Sequence, residues 1–149
     1  DSVTAMKILR IDHVALAVPN LDPALHLWSD MLSLLQGPRE CVPAQRAEVA
    51  FLQTTAEAEA CVEFITSHPA GENAGLEKFL DGTKDRRGGF HHIAFAVENL
   101  RASLDELFER GVPLIDRVPR PGARGHEVAF LHPKALNGIL IELVAPAKH

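Results

Sequence analysis

The chain repeats itself at an offset of 79 residues, and this repeat constrains its fold more than any other feature. Residues 13–21, HVALAVPNL, return as residues 92–100, HIAFAVENL. Residues 48–52, EVAFL, return unchanged as residues 127–131. A fixed period within one chain indicates two copies of one supersecondary unit. We therefore expect a tandem of two similar modules.

Each copy shows the same order of predicted elements. Nearly continuous apolar runs predict a first strand at 10–18 and its repeat at 90–97. Apolar residues at helical spacing follow between 21 and 32 and again between 100 and 108. Further strands are predicted near 38–43, 48–53 and 60–66 in the first copy and near 114–119, 127–132 and 138–144 in the second. The repeated unit is thus a strand, a helix and three strands.

The length of 149 residues is typical of one compact domain, or of two small halves that share a core. We expect residues 1–149 to form a single domain. Module one would cover about 8–67 and module two about 89–146, with a linker at 68–88. A short helix is expected within that linker, around residues 76–80.

Composition excludes several classes of partner. Apolar residues make up 46% of the chain and charged residues 23%, which is ordinary for a soluble globular protein. The net charge of −5 gives no electrostatic reason to expect nucleic acid. No apolar run approaches the roughly 20 residues of a membrane span. Cys41 and Cys61 form neither a CxxC motif nor a disulfide framework, which favours a reducing compartment.

Four polar residues recur inside the apolar, strand-like runs: His13 and Glu63 in the first copy, His92 and Glu142 in the second. Each Glu follows its His by 50 residues and has apolar neighbours on both sides. A buried carboxylate is costly unless it is paired or bound to a cation. Singly, each of the four is more often a structural or surface residue. Together they predict a divalent metal site, and its two nitrogen and two oxygen ligands suit Co, Mn, Ni or Zn better than Ca or Mg.

Three motifs carry a resemblance to a known family: GGFHHIAFAV at 88–97, FLHPK at 130–134 and GILIEL at 138–143. With the paired strand–helix–three-strand units, they resemble the vicinal oxygen chelate superfamily, also called the glyoxalase/bleomycin-resistance/dioxygenase superfamily. Within it, the chain is most similar to the methylmalonyl-CoA epimerases, from Ile11 to Val144. The resemblance implies an α+β fold in which two tandem βαβββ modules form a cup-shaped, mostly antiparallel eight-stranded sheet.

The resemblance also implies roles for particular residues. The four metal ligands of the family correspond to His13, Glu63, His92 and Glu142. His91 aligns with Asp12 and, because side chains alternate along a strand, we expect it on the opposite face with a structural role. Lys134, in the FLHPK motif, could pair with CoA phosphates or with the substrate carboxylate, since cations are the natural partners of these groups.

The activity implied is that of an isomerase that interconverts the 2R and 2S forms of methylmalonyl-CoA, a reaction of propionate metabolism. A proton would leave and return at C2 through a metal-stabilised enolate. The family assigns one base to the metal-bound Glu142, and the nearest match to the second base is Glu48. An ungapped comparison places Glu48 one residue off, and one residue reverses the face of a strand. A solvent-facing Glu48 is therefore the alternative.

Two other functions remain open. A glyoxalase I-type lactoylglutathione lyase would use a similar metal shell, and a drug-sequestering resistance protein of the same fold would bind its ligand without catalysis. An extradiol dioxygenase is disfavoured because the chain has a fourth ligand candidate and no Tyr. By resemblance we expect an acyl-CoA substrate and a homodimer. We expect a cytoplasmic location, or the mitochondrial matrix in a eukaryote.

Overall fold

The computed structural model describes residues 6–146 of the chain. These residues contain eight strands and three α-helices. The strands are β1 Ile8–Ala17, β2 Leu35–Val42, β3 Ala47–Gln53, β4 Cys61–Ser67, β5 Gly89–Val97, β6 Arg120–Pro121, β7 Glu127–Leu131 and β8 Ile141–Ala145. The helices are α1 Leu21–Leu32, α2 Ala74–Asp81 and α3 Leu100–Glu109. Each copy of the repeat therefore contains the predicted βαβββ order, and the α+β fold class is confirmed.

The chain divides into two compact units that follow the repeat closely. We call residues 13–91 the first-copy unit. Of the described residues, the second-copy unit combines 92–146 with 6–12. The start of β1 thus belongs with the second copy, which the repeat alone does not reveal.

The first-copy unit contains the strand order β2-β3-β4-β1. β3 pairs antiparallel with β2 and with β4, whereas β4 pairs parallel with β1. One face of these strands packs against α1 through a core of Leu21, Leu25 and Phe64. The second helix lies in the predicted linker, where the Asn73 side chain accepts a hydrogen bond from the Leu76 N–H and so caps α2.

The second-copy unit contains the order β5-β8-β7-β6, with β5 and β8 parallel and the other two pairs antiparallel. One face of these strands packs against α3, and the core there combines Leu100, Leu104 and Leu107 with Leu131 and Leu143. Four of the six strand pairings described within the units are antiparallel, as the resemblance implied.

The strand predicted at 114–119 is wrong in position. Only Arg120 and Pro121 pair as a strand with β7, after a single bridge between Leu114 and Leu131. Proline has no N–H to donate to a sheet, so the prolines at 113, 119 and 121 keep this edge strand short.

A bulge in β2 determines which side chains of this strand face which way. Before the bulge Gln36 lies opposite Leu52, and after it Arg39 lies opposite Ala50. The extra residue falls at Gly37–Pro38, where proline again withholds an N–H. Every side chain after the bulge is therefore turned to the other face of the strand pair.

Within residues 6–146, no helix combines the length and the apolar character needed to cross a membrane.

Candidate functional site

The first-copy unit pairs His13 on β1 with Glu63 on β4. Glu63 lies opposite Ala15, two residues from His13, so both side chains are on the same face. His13 Nε2 lies 3.6 Å from Glu63 Oε1, and both residues are buried. The ring of Phe51 meets the His13 ring edge-on, with 6.3 Å between centroids.

The second-copy unit repeats this arrangement with His92 on β5 and Glu142 on β8. Glu142 lies opposite Ala94, again two residues from the His. His92 Nε2 lies 3.2 Å from Glu142 Oε1, and both residues are buried. Phe130 packs edge-on against His92 with 5.3 Å between ring centroids. Each copy thus buries one imidazole and one carboxylate side by side.

These residues fit a divalent metal ion on chemical grounds. Glu63 and Glu142 are 5% and 4% exposed, so solvent supplies little stabilisation for either carboxylate. A neutral imidazole binds a metal through a ring nitrogen, and a carboxylate binds through oxygen. Each pair offers one nitrogen and one oxygen donor, a combination that suits Co, Mn, Ni or Zn better than Ca or Mg.

The register of β3 shows on which face of the strands the predicted second base, Glu48, lies. Phe51 lies opposite Glu63, whereas Glu48 lies opposite Thr66. Phe51 and Glu48 are three positions apart, an odd number, so Glu48 points away from the face that carries His13 and Glu63. The one-residue offset in the sequence comparison therefore reversed the face.

The surroundings of Glu48 agree with this orientation. Its Oε2 lies 3.8 Å from Arg39 Nη2, and Arg39 also pairs with Asp22 on α1. Glu48 lines a cavity of about 590 Å³ beside the start of α1, together with Asn20 and Asp22. Glu48 thus belongs to a polar cluster on the helix side of the strands.

Glu40 on β2 is the carboxylate that sequence reasoning missed. It lies opposite Val49, which shares a face with Phe51, and therefore with Glu63 and His13. The bulge is responsible, because continuing the register of Gln36 would set Glu40 opposite Glu48. The Gly37–Pro38 pair is the sequence feature that could have indicated the bulge. Such a pair does not by itself determine the strand register.

Two further predictions concern His91 and Lys134. The His91 ring packs against Phe79 at 5.1 Å between centroids, away from the face of its neighbour His92, as predicted. Lys134 is exposed in a 3-10 turn, Pro133–Ala135, that follows β7. Its backbone N–H donates to His132 Nδ1 at 3.1 Å. A role for Lys134 in substrate binding stays a prediction.

Asp12, the residue before His13, is also buried and is held by two arginines. Arg124 Nη2 donates to Asp12 Oδ2 at 2.6 Å, and Arg10 Nη2 lies 3.8 Å from Asp12 Oδ1. The carboxylate is only 1% exposed, so these cations provide its charge compensation. Because Arg124 lies between β6 and β7, the pair also ties this connection to β1.

Comparisons with known proteins agree with this architecture. A family model described as the Glyoxalase/Bleomycin resistance protein/Dioxygenase superfamily matches residues 12–130. An ethylmalonyl-CoA/methylmalonyl-CoA epimerase from Cereibacter sphaeroides is 36% identical over 135 residues, which cover 90% of this chain and 96% of that protein.

Two solved structures of relatives extend the similarity to three dimensions. The structure of methylmalonyl-CoA epimerase from Mycobacterium tuberculosis matches with a TM-score of 0.85 at 31% identity, covering 99% of this chain and 94% of that one. A methylmalonyl-CoA epimerase in complex with methylmalonyl-CoA and ammonium matches with a TM-score of 0.82 at 28% identity, covering 95% and 96% of the two chains.

Proposed function

The chain belongs to the glyoxalase/bleomycin resistance protein/dioxygenase superfamily, and we propose that it is a metal-dependent epimerase that interconverts the 2R and 2S forms of methylmalonyl-CoA. The observation that carries this proposal is the buried His–Glu pair that occurs once in each copy, with N–O distances of 3.6 and 3.2 Å. The epimerases among its relatives support the same choice of reaction and substrate.

The metal ligands in this proposal are His13, Glu63, His92 and Glu142, which would hold one ion of Co, Mn, Ni or Zn. When bound, such an ion polarises the thioester carbonyl and stabilises negative charge on its oxygen. The burial of all four residues supports their assignment, because buried carboxylates need a cation nearby.

Two carboxylates would move the proton. The C2 hydrogen lies between a thioester and a carboxylate and is therefore weakly acidic. A carboxylate on one side takes this proton, and the electron pair of the C–H bond delocalises into the thioester carbonyl to give an enolate. A carboxylic acid on the other side returns a proton to C2, which inverts the centre. Exchange with water then resets both groups, and the net reaction consumes no other reactant.

We assign these two roles to Glu142 and Glu40. The strands of the first-copy unit carry three carboxylates: Glu63 is a ligand, Glu48 is on the helix side, and Glu40 is on the face of Glu63. Glu40 is two strands across and two residues along from Glu63, or roughly 12 Å between Cα atoms. That separation accommodates a small acyl group between Glu40 and an ion held by Glu63. Glu40 is half-buried, so solvent can exchange its proton.

Lys134 supports an acyl-CoA substrate in this proposal, because an exposed cation can pair with phosphate groups. A homodimer and a location in the cytoplasm or the mitochondrial matrix stay predictions.

The direct test of the function is a chiral assay. Protein treated with a chelator and reloaded with Co²⁺ should convert either pure epimer of methylmalonyl-CoA into the mixture, and the chelated protein should not. Conversion of the methylglyoxal–glutathione hemithioacetal to lactoylglutathione, without epimerisation, would instead establish the lyase.

The assignment of Glu40 is tested by exchange in deuterated water. Glu40→Gln should stop epimerisation while the remaining base still exchanges the C2 hydrogen of one epimer with retention of configuration, a loss of about 100-fold or more in epimerisation. Glu48→Gln, the same substitution on the opposite face of the neighbouring strand, should exchange both epimers like the wild type. If Glu48→Gln loses epimerisation and Glu40→Gln retains it, the assignment is wrong.

A further inference from the structure

Arg120 of β6 is on the same face as the His92–Glu142 pair. It lies opposite Val128 on β7, and Val128 lies opposite Val144 on β8, two residues from Glu142. Because side chains alternate along a strand, Arg120, Val128 and Glu142 share one face. The second copy therefore places a cation on the face of its candidate ligands.

An aromatic ring connects Arg120 to the candidate site. The Arg120 guanidinium carbon lies 5.2 Å from the centroid of the Phe130 ring, within the range of a cation–π contact. The same ring packs against His92. Phe130 is therefore in contact with both the Arg120 guanidinium and the His92 imidazole.

Asp116 holds the other end of the arginine head. Its Oδ2 lies 3.3 Å from Arg120 Nε and also accepts a hydrogen bond from the Phe130 N–H at 2.8 Å. The Arg120 side chain is 34% exposed, so a small molecule from solvent can reach it.

We propose that Arg120 binds the free carboxylate of the substrate and so selects malonyl-type thioesters over simple acyl thioesters. This inference rests on the proposed function. Two ligand carboxylates would neutralise a divalent ion, so an anionic substrate needs a further cation. Arginine can bind a carboxylate with two parallel hydrogen bonds, which lysine cannot.

The repeat gives this position a counterpart. Val128 is the repeat of Val49 at the offset of 79 residues, and Glu40 lies opposite Val49 as Arg120 lies opposite Val128. Equivalent places in the two copies therefore carry a carboxylate in one and a guanidinium in the other. A base and an anion-binding group are the two functions that a malonyl substrate requires.

The test compares the binding of two ligands that differ in one carboxylate. Calorimetric titration of the metal-loaded protein gives dissociation constants for methylmalonyl-CoA and propionyl-CoA. Arg120→Met should raise the dissociation constant of methylmalonyl-CoA on the order of ten- to a hundredfold and change that of propionyl-CoA by no more than about twofold. Arg120→Lys should recover only part of the loss, because it retains the charge without the fork of donors.

Arg117→Met is the matched control. Arg117 also lies over a phenylalanine, Phe108, at 4.4 Å, and its Nη1 donates to Asp105 at 2.9 Å on the exposed surface. The Arg117→Met variant should therefore have the wild-type dissociation constants for both ligands. Equal loss for both ligands in Arg120→Met, or an unchanged preference for methylmalonyl-CoA in that variant, would overturn the inference.

The binding measurement needs no turnover, so it separates this inference from the proposed function. A protein that prefers methylmalonyl-CoA through Arg120 but does not epimerise it would retain the inference and refute the function. If the protein is an active epimerase and Arg120→Met still prefers methylmalonyl-CoA, the function would be retained and the inference refuted. Circular dichroism and the thermal midpoint of each variant identify a loss of folding, and in that case Arg120→Lys decides.

Discussion

The buried carboxylates on the strands of this protein differ in the side chains that lie beside them. Glu63 and Glu142 each lie beside an imidazole in the interior, whereas Asp12 lies beside two arginines. The two kinds of partner imply different roles. An arginine neutralises a carboxylate permanently, while a neutral imidazole does not and is itself a metal ligand. This difference supports a structural role for Asp12 and the proposal that the two glutamates are metal ligands.

Removing the closest cation of Asp12 should destabilise the fold. Arg124→Met leaves a carboxylate that is 1% exposed with Arg10 at 3.8 Å in place of Arg124 at 2.6 Å. We expect the free energy of unfolding to fall by about 2–3 kcal/mol, measured by urea denaturation. Arg117→Met removes a solvent-exposed pair and should cost less than about 1 kcal/mol. Similar losses in the two variants would show that Arg124 does not stabilise Asp12.

At the scale of elements, a glycine allows the chain before β5 to pack closely against the end of β1. Gly88, one residue before β5, has a φ of +87°, and a Cβ at this position would lie 1.9 Å from the Ala17 carbonyl oxygen. Both the left-handed backbone and the close contact require glycine. Gly88 also precedes the strand that carries His92, so its conformation bears on the placement of a candidate ligand.

Gly88→Ala should therefore be one of the most damaging small substitutions in the chain. We expect a loss of about 3 kcal/mol or more in the free energy of unfolding, from backbone strain and from the clash together. Gly111→Ala is the matched control, because Gly111 has a φ of +77° but no atom within 4 Å of the place that a Cβ would occupy. It should lose only about 1 kcal/mol. Equal losses would mean that the backbone at Gly88 relaxes.

The elements also show where sequence reasoning succeeds and where it fails. The apolar runs predicted β1, β3, β4, β5, β7 and β8 because these strands are buried and their patterns are strong. The edge strands β2 and β6 were harder, since proline interrupts both and half of each faces solvent. The bulge at Gly37–Pro38 turned Glu40 toward Glu63, and no periodicity in the sequence shows such a shift.

At the scale of the whole molecule, the repeat predicted both modules and all four candidate ligands. The repeat also bears on the orientation of Glu48, because Glu127 occupies the same place in the identical EVAFL run. Glu127 is exposed and lies opposite Ala145, three residues from Glu142, so it too points away from the candidate ligands. Identical residues in the two copies thus mark equivalent strand positions. Glu40, the proposed base, and Arg120, the proposed carboxylate-binding group, are at positions where the copies differ.

The central proposal is that one divalent ion binds to His13, Glu63, His92 and Glu142. A calorimetric titration of the chelator-treated protein with Co²⁺ tests this most directly. We predict one tight ion per chain in the wild type, and at least a tenfold loss of affinity in both His13→Ala and His92→Ala, because each removes one nitrogen ligand. His26→Ala, an exposed histidine on α1, should bind like the wild type. Two independent ions per chain, or one ion whose affinity is unchanged when either His13 or His92 is removed, would contradict a shared centre.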